Sequence, residues 1–194
     1  MRRRPLRELL NAYAVAHVAE RATVDRFREF VDTHEDCLLR SCRPGHVTAS
    51  TWILSPDRRS CLLTLHRKLG KWLQLGGHVD GEPEVWRAAL REAQEESGMT
   101  RFQVAPLPLD LDVHSIPAHG DDPEHLHLDV RFLLITEPDQ SLSQSSESLD
   151  LRWFPVDQLR SVTTEESVLR LQEKVRGLFS AGGWSDNPQG RVQS

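Results

Sequence analysis

The sequence predicts an α/β protein with a helical extension at its N-terminus. Apolar residues recur at helical spacing before residue 34, between residues 83 and 98, and again over 165–179. Between these segments lie short stretches rich in β-branched and aromatic residues, bounded by turn-forming residues. With 194 residues, 38% of them hydrophobic, the chain can form one domain with a buried core and a terminal extension.

The composition excludes several classes of protein. A net charge of −5 provides no basic surface, so we expect no strong nucleic-acid binding. The three cysteines form no C-x-x-C pair, which predicts a reducing, cytoplasmic environment. No secretory signal and no apolar run of transmembrane length is found, so we expect no membrane association.

The chain divides into three predicted regions: a helical extension (1–43), a main domain (44–180) and a disordered tail (181–194). In the extension, residues 6–20 form one predicted helix, and Thr23 is the expected N-cap of a second. This helical pair could pack on the core, cover a binding site or form a homodimer interface. After it come possible zinc ligands, although structural cysteines are the simpler interpretation; they are His34, Cys37, Cys42 and His46.

The main domain begins with strand signals. The predicted strands are 47–54, 61–65, 126–136 and 149–154, with a proline-interrupted strand over 102–116. Between the second of these strands and the central helix, residues 72–75 lead into a pair of glycines. The C-terminal helix is predicted over 165–179, with an apolar stripe.

The middle of the chain, residues 76–99, combines a turn, a helix and a stop signal. Gly76 and Gly77 permit a backbone turn that other residues resist. Pro83 is suited to the first helical position, and Gly98 is expected to end the helix. Small apolar residues at helical spacing predict a face that packs closely on a sheet; they are Val85, Ala88, Ala89 and Ala93.

The other face of this helix carries Glu92, Glu95 and Glu96, which lie side by side at positions i, i+3 and i+4. Three neighbouring carboxylates repel one another. Mg²⁺ or Mn²⁺ relieves that repulsion, and such cations prefer oxygen ligands. When the cluster is considered alone, a solvated acidic face is the simpler interpretation.

The whole stretch resembles the Nudix box, G-x5-E-x7-R-E-U-x-E-E-x-G-U, in which U is apolar. The matching positions are Gly77, Arg91, Glu92, Ala93, Glu95, Glu96, Gly98 and Met99. Glu82 comes one residue early, so the box reads G-x4-E-x8-R here, and Leu75 replaces a usual proline. In the family, the first glutamate pairs mainly with the box arginine.

The resemblance implies an α/β/α sandwich with a mixed β-sheet. It also implies metal-dependent hydrolysis of a phosphoanhydride bond in a small molecule, a nucleoside diphosphate linked to another group. Glu92, Glu95 and Glu96 would bind Mg²⁺ or Mn²⁺, with the backbone carbonyl of Gly76 as a further ligand. The resemblance does not specify which nucleoside diphosphate derivative is used.

Further site residues are expected outside the box. Members of the family take a general base from the box or from a later loop, where Glu147 is the first candidate and Asp150 the second. Arg67 and Lys71 lie in a basic loop that is near the phosphates in the family fold, so they are candidate substrate contacts. A solvated loop carboxylate is the simpler interpretation of Glu147 and Asp150, whereas solubilising charges explain the basic residues equally well.

Two other functions remain open. A Nudix-like domain can sense a nucleotide without catalysis, but a sensor has no need to keep three acids for metals. An isopentenyl diphosphate isomerase shares the fold, but that family uses a cysteine at the place of Gly77. Both alternatives are therefore disfavoured.

Four histidines suggest a second metal site. His125 and His127 are at positions i and i+2 of a predicted strand, so they project from the same face. His46 precedes the first core strand and His78 follows the glycine turn, as histidines do in the isomerases. In those enzymes these groups and two strand acids bind one metal. Imidazole favours a transition metal over Mg²⁺, although surface or hydrogen-bonded histidines remain the simpler interpretation.

Overall fold

The structure is a computed structural model that describes residues 2–120, 122–146 and 148–180. The candidate base Glu147 and the predicted disordered tail, 181–194, lie outside the described residues. None of the described helices is long and apolar enough to cross a membrane.

The elements alternate as the sequence predicts. The described α-helices are α1 (Arg4–Ala16), α2 (Arg21–Thr33), α3 (Val85–Ser97) and α4 (Glu166–Ser180). The described strands are β1 (Gly45–Leu54), β2 (Ser60–His66), β3 (Trp72–Leu73), β4 (Leu75–His78), β5 (Phe102–Val104), β6 (Asp110–Ile116), β7 (His125–Thr136) and β8 (Ser148–Pro155).

These strands form one mixed sheet with the central order β3-β2-β1-β7-β5. β1 and β7 are parallel along their whole length, from Gly45 opposite Leu126 to Leu54 opposite Ile135. The other pairs are antiparallel: β4 pairs with β1, β6 with β7, and β8 with β2. The predicted mixed sheet is confirmed.

Helices cover both faces of the sheet. Alternate residues of β1 belong to different cores, because successive side chains of a strand point to opposite faces. Ala49 and Ile53 pack with α3, whereas Trp52 and Leu54 pack with α4. The predicted small face of α3 is buried, and the resulting arrangement is the expected α/β/α sandwich.

The helical extension packs on the α3 side of the sheet. Leu6, Leu10 and Tyr13 of α1 are fully buried, as are Val24 and Phe27 of α2. All five belong to the same apolar cluster as α3. Of the three roles considered for this pair of helices, packing on the core is therefore observed.

Two helix starts differ from the prediction. α2 begins at Arg21, so Thr23 lies in its first turn and is not the N-cap. α3 begins at Val85, so Pro83 precedes the helix. There, the carboxylate of Glu82 accepts the backbone N–H of Glu84 at 2.9 Å, and this bond holds the chain in a turn before the helix starts.

A buried ionic network joins the sheet to α4. Arg131 of β7 is 2% exposed and donates to Asp129 at 2.8 Å, Asp112 at 2.9 Å and Asp110 at 3.2 Å. Arg170 of α4 donates to Asp110 at 2.8 Å and to Asp112 at 2.6 Å. Because buried charges require partners, this network fixes the position of α4 against β6 and β7.

Candidate active site at the glycine turn

The Gly76–Gly77 segment, called the glycine turn, is part of strand β4 and does not form the turn that the sequence predicted; it lies directly against the acidic face of α3. Gly77 is opposite Ala49 and Gly76 is opposite Ser50 in the β1–β4 pair. A Cβ atom at Gly77 would lie 2.6 Å from Oε2 of Glu92, and one at Gly76 would lie 2.4 Å from the Cβ of Ser50. Glycine at position 76 therefore lets β4 approach the backbone of β1, and a side chain at position 77 would require the Glu92 carboxylate to move.

Two box carboxylates reach the glycine turn, and the third faces solvent. The backbone N–H of Gly76 donates to Oε2 of Glu96 at 3.1 Å. Glu92 lies against Gly77, as the close approach of its carboxylate shows. The side chain of Glu95 is 63% exposed. The cluster thus has carboxylate oxygens both at the turn and toward solvent.

Arg91 holds this arrangement together. Its Nη2 donates to Oε1 of Glu92 at 2.7 Å and to the carbonyl of His78, also at 2.7 Å. Its Nε lies 3.9 Å from Glu95. The hydrogen bond with Glu92, followed by the charges of the neighbouring acids, raises the pKa of Arg91 despite partial burial. Arg91 therefore fixes Glu92 at the glycine turn and partly neutralises it.

The early position of Glu82 changes its partner. Its carboxylate accepts the backbone N–H of Glu84, and no hydrogen bond or ion pair joins it to Arg91 among the described residues. The family pairing between the first glutamate and the box arginine is therefore replaced here by the pairing of Arg91 with Glu92.

The loop before β8 is anchored beside the end of α3. The N–H of Ser143 donates to the carbonyl of Ser97 at 2.7 Å. Arg67 donates to the carbonyls of Ser146 and Ser148 at 2.9 and 3.0 Å. These bonds fix both neighbours of position 147, and this anchoring role of Arg67 could not be inferred from the sequence.

The other predicted loop charges have protein partners. Lys71 forms an ion pair with Glu165 at 2.9 Å. Asp150 pairs with Arg152 at 2.5 Å and accepts the backbone N–H of Leu151 at 2.8 Å. Asp150 is therefore already occupied by two donors.

The four predicted histidines come together on the sheet. Nitrogen atoms of His46, His125 and His127 all lie within 4.8 Å of one another. The ring centre of His78 lies 4.9 Å from that of His46 and 5.4 Å from that of His127. The ring centre of His114 lies 5.6 Å from that of His127. The sequence did not predict this neighbour, because only the β6–β7 register places His114 opposite His127.

Comparison with known proteins gives the family. A NUDIX domain family model matches residues 44–174, which are most of the chain. The chain therefore belongs to the Nudix family, as the resemblance of residues 76–99 predicted. A comparison with curated proteins finds no match.

Solved structures of this family are similar to the chain. A Nudix-family hydrolase from Clostridium perfringens is 26% identical with a TM-score of 0.54, over 69% of this chain and 97% of that one. The NUDIX domain of Shewanella oneidensis NrtR, solved in complex with ADP ribose, is 17% identical with a TM-score of 0.54, over 69% and 87%. The Escherichia coli dihydroneopterin triphosphate pyrophosphohydrolase is 17% identical with a TM-score of 0.53, over 66% and 92%. The last two similarities show a shared fold.

Proposed function

We propose that this Nudix protein is a metal-dependent hydrolase. Its substrate would be a nucleoside diphosphate linked to another group, and the bond cleaved would be the phosphoanhydride. The observation that carries the proposal is the carboxylate cluster at the glycine turn, where Glu92 and Glu96 meet Gly76 and Gly77. Two proteins with the same fold are a dihydroneopterin triphosphate pyrophosphohydrolase and a NUDIX domain solved in complex with ADP ribose, which supports this substrate class.

The donor set is appropriate for a hard divalent cation. Glu92, Glu95 and Glu96 supply carboxylate oxygens on one helix face, and the carbonyl of Gly76 would add a backbone oxygen. These residues would bind Mg²⁺ or Mn²⁺. Such a cation, when bound, neutralises phosphate oxygens and lowers the pKa of a water molecule.

The protein's own residues would position the reacting groups. Arg91 holds Glu92, and the N–H of Gly76 orients Glu96. We retain Glu147, which lies outside the described residues, as the first candidate general base from the family resemblance. Asp150 remains second, since its carboxylate already forms an ion pair with Arg152 and accepts the N–H of Leu151.

Substrate phosphates would be contacted from the loop between β2 and β3. Arg67 and Lys71 are the candidates. A phosphate would compete with Glu165 for Lys71 and with two carbonyls for Arg67. Charge favours this exchange, because a diphosphate group as a whole carries more negative charge than the single carboxylate of Glu165 or the two neutral carbonyls.

A substrate panel tests the proposal. The protein is incubated with Mg²⁺ or Mn²⁺ and with ADP-ribose, dinucleoside polyphosphates, oxidised nucleotides and isopentenyl diphosphate. Release of a nucleotide or phosphate is expected. Tight binding of a nucleotide without turnover would indicate a sensor, and allylic rearrangement would indicate an isomerase; either result would contradict the proposal. Cytoplasmic location and a homodimer remain predictions from the sequence.

A further inference from the structure

We propose that His46, His78, His125 and His127 bind one transition-metal ion of the Zn²⁺ class, separate from the box glutamates. The strand register brings these residues together. His46 is directly opposite His127 in the β1–β7 pair, and His125 lies two residues before His127 on the same face. His78 is opposite Thr48, two residues after His46 on the same face of β1.

Unpartnered nitrogen atoms mark the centre of this histidine cluster. His46 is 5% exposed, and neither of its ring nitrogens has a hydrogen-bond partner among the described residues. Nε2 of His127 is also buried and unpartnered there. The carbonyl of Cys42 acts electrostatically on His46, but its geometry falls short of a hydrogen bond. A buried polar atom without a partner is unfavourable, and coordination would use its lone pair.

Neighbouring groups orient the rings. Nδ1 of His125 lies 2.9 Å from the carbonyl of Pro123 and therefore donates to it, which leaves Nε2 as the acceptor nitrogen. His114, beside His127, has its Nδ1 2.8 Å from the carboxylate of Asp112. Hydrogen bonds of this kind fix the tautomer and orientation of histidines around metal ions.

The spacing is close to that of a metal site. The nitrogen atoms of His46, His125 and His127 lie within 4.8 Å of one another. Tetrahedral Zn²⁺ with bonds of about 2.0–2.1 Å places its donors about 3.3–3.4 Å apart, so the donors must approach by at most about 1.5 Å. Small side-chain rotations supply that approach.

The site is distinct from the box cluster in position and in chemistry. Gly77 faces Glu92 on α3, so the next residue, His78, points to the opposite face of the sheet. Imidazole nitrogens favour Zn²⁺, Ni²⁺, Cu²⁺ or Fe²⁺, whereas the carboxylates of α3 favour Mg²⁺ or Mn²⁺. The two sites should therefore bind different ions independently.

Metal titration of the untagged, full-length protein tests this proposal. After treatment with a chelator, we expect the wild type to bind one equivalent of Zn²⁺ by calorimetry and to gain thermal stability. Co²⁺ should give visible ligand-field bands, and an excess of Mg²⁺, which the box carboxylates would bind, should not displace Zn²⁺ from the histidines. His125→Ala and His127→Ala should each lower Zn²⁺ affinity by more than the about 10-fold expected for loss of an outer hydrogen-bond partner.

Two controls separate the possible outcomes. His119→Ala removes an exposed histidine outside the cluster and should bind Zn²⁺ like the wild type. Glu95→Gln should also retain Zn²⁺, so failure of the hydrolase proposal would leave this result unaffected. If His127→Ala does not fold, the partly exposed His125 decides the test. A wild type that binds no stoichiometric Zn²⁺, or equal binding in His125→Ala and His119→Ala, would overturn the proposal.

Discussion

The box carboxylates of α3 differ in their surroundings, but we propose the same role for each of them, which is metal binding. Glu96 accepts the N–H of Gly76, whereas Glu95 faces solvent. Changing either to Gln preserves size but removes a charged oxygen ligand. We expect turnover to fall at least about 100-fold, which corresponds to about 2.7 kcal/mol of transition-state stabilisation. Initial rates at low Mg²⁺ measure the effect.

Folding should survive both changes, because they reduce repulsion among neighbouring acids. Glu173→Gln is a matched control, since Glu173 lies on α4, is exposed and has Arg160 as its ion partner in the described part of the chain. It should retain full turnover. Near-normal activity in both Glu95→Gln and Glu96→Gln would remove α3 from the mechanism.

Glu82 gives a prediction that depends on the shifted box spacing. Its carboxylate accepts the N–H of Glu84, and the amide oxygen of a glutamine can accept the same bond. Because no hydrogen bond or ion pair joins Glu82 to Arg91 among the described residues, Glu82→Gln should change turnover only a few-fold. A loss as large as that of Glu95→Gln would show that Glu82 pairs with Arg91 in the working enzyme.

Strand β4 and helix α3 meet where the Glu92 carboxylate lies against Gly77, which has no side chain. Gly77→Ala would place Cβ 2.6 Å from Oε2 of Glu92, so the carboxylate must move. We expect weaker Mn²⁺ binding and lower turnover, measured by titration and by initial rates.

Gly177→Ala is the matched control for that change. Gly177 lies in α4 with no atom within 4 Å of the added Cβ, so alanine should stabilise the helix by about 0.5–1 kcal/mol. Mn²⁺ affinity should not change. If Gly77→Ala binds Mn²⁺ as tightly as Gly177→Ala does, close approach at the glycine turn is not needed for the metal site.

The same contact shows how far sequence can predict elements. The helix of residues 85–97 and its stop at Gly98 follow from local signals, and both are observed. The start was placed too early at Pro83, because the bond between Glu82 and the backbone of Glu84 replaces the first turn. Local periodicity gives the element, whereas its boundary depends on a side-chain contact.

Across the whole molecule, the buried network of Arg131 joins β6, β7 and α4. Arg131→Met would leave Asp129 buried without its cation, whereas Asp110 would keep its ion pairs with Arg170 and Lys174. Breaking a buried ion pair in this way destabilises a protein by about 3–5 kcal/mol. Urea unfolding should show that loss.

Arg152→Met is the control, because it removes the cation of an exposed ion pair in place of a buried one. Arg152 is 64% exposed and pairs with Asp150, so its loss should change the free energy of unfolding by about 1 kcal/mol or less. Equal effects of the two changes would mean that the Arg131 network does not hold the sheet and α4 together.

Roles that depend on contacts between residues far apart in the chain could not be predicted from the sequence. The box glutamates and the two strand histidines at i and i+2 were identified because their spacing is local. Arg131, His114 and the anchoring role of Arg67 depend on strand register and loop contacts between distant residues. The cluster of His46 with His127 was predicted by resemblance, and only the parallel β1–β7 register places the two rings side by side.

Hydrolysis in oxygen-18-labelled water, followed by phosphorus NMR, tests the central claim most directly. With Mg²⁺ or Mn²⁺ and a nucleoside diphosphate derivative that is turned over, the wild type should place one labelled oxygen in a phosphoryl product. The Glu95→Gln protein should produce this product at least about 100-fold more slowly. Product formed without labelled oxygen at phosphorus, or formed at the same rate by Glu95→Gln, would contradict phosphoanhydride hydrolysis at the α3 carboxylates.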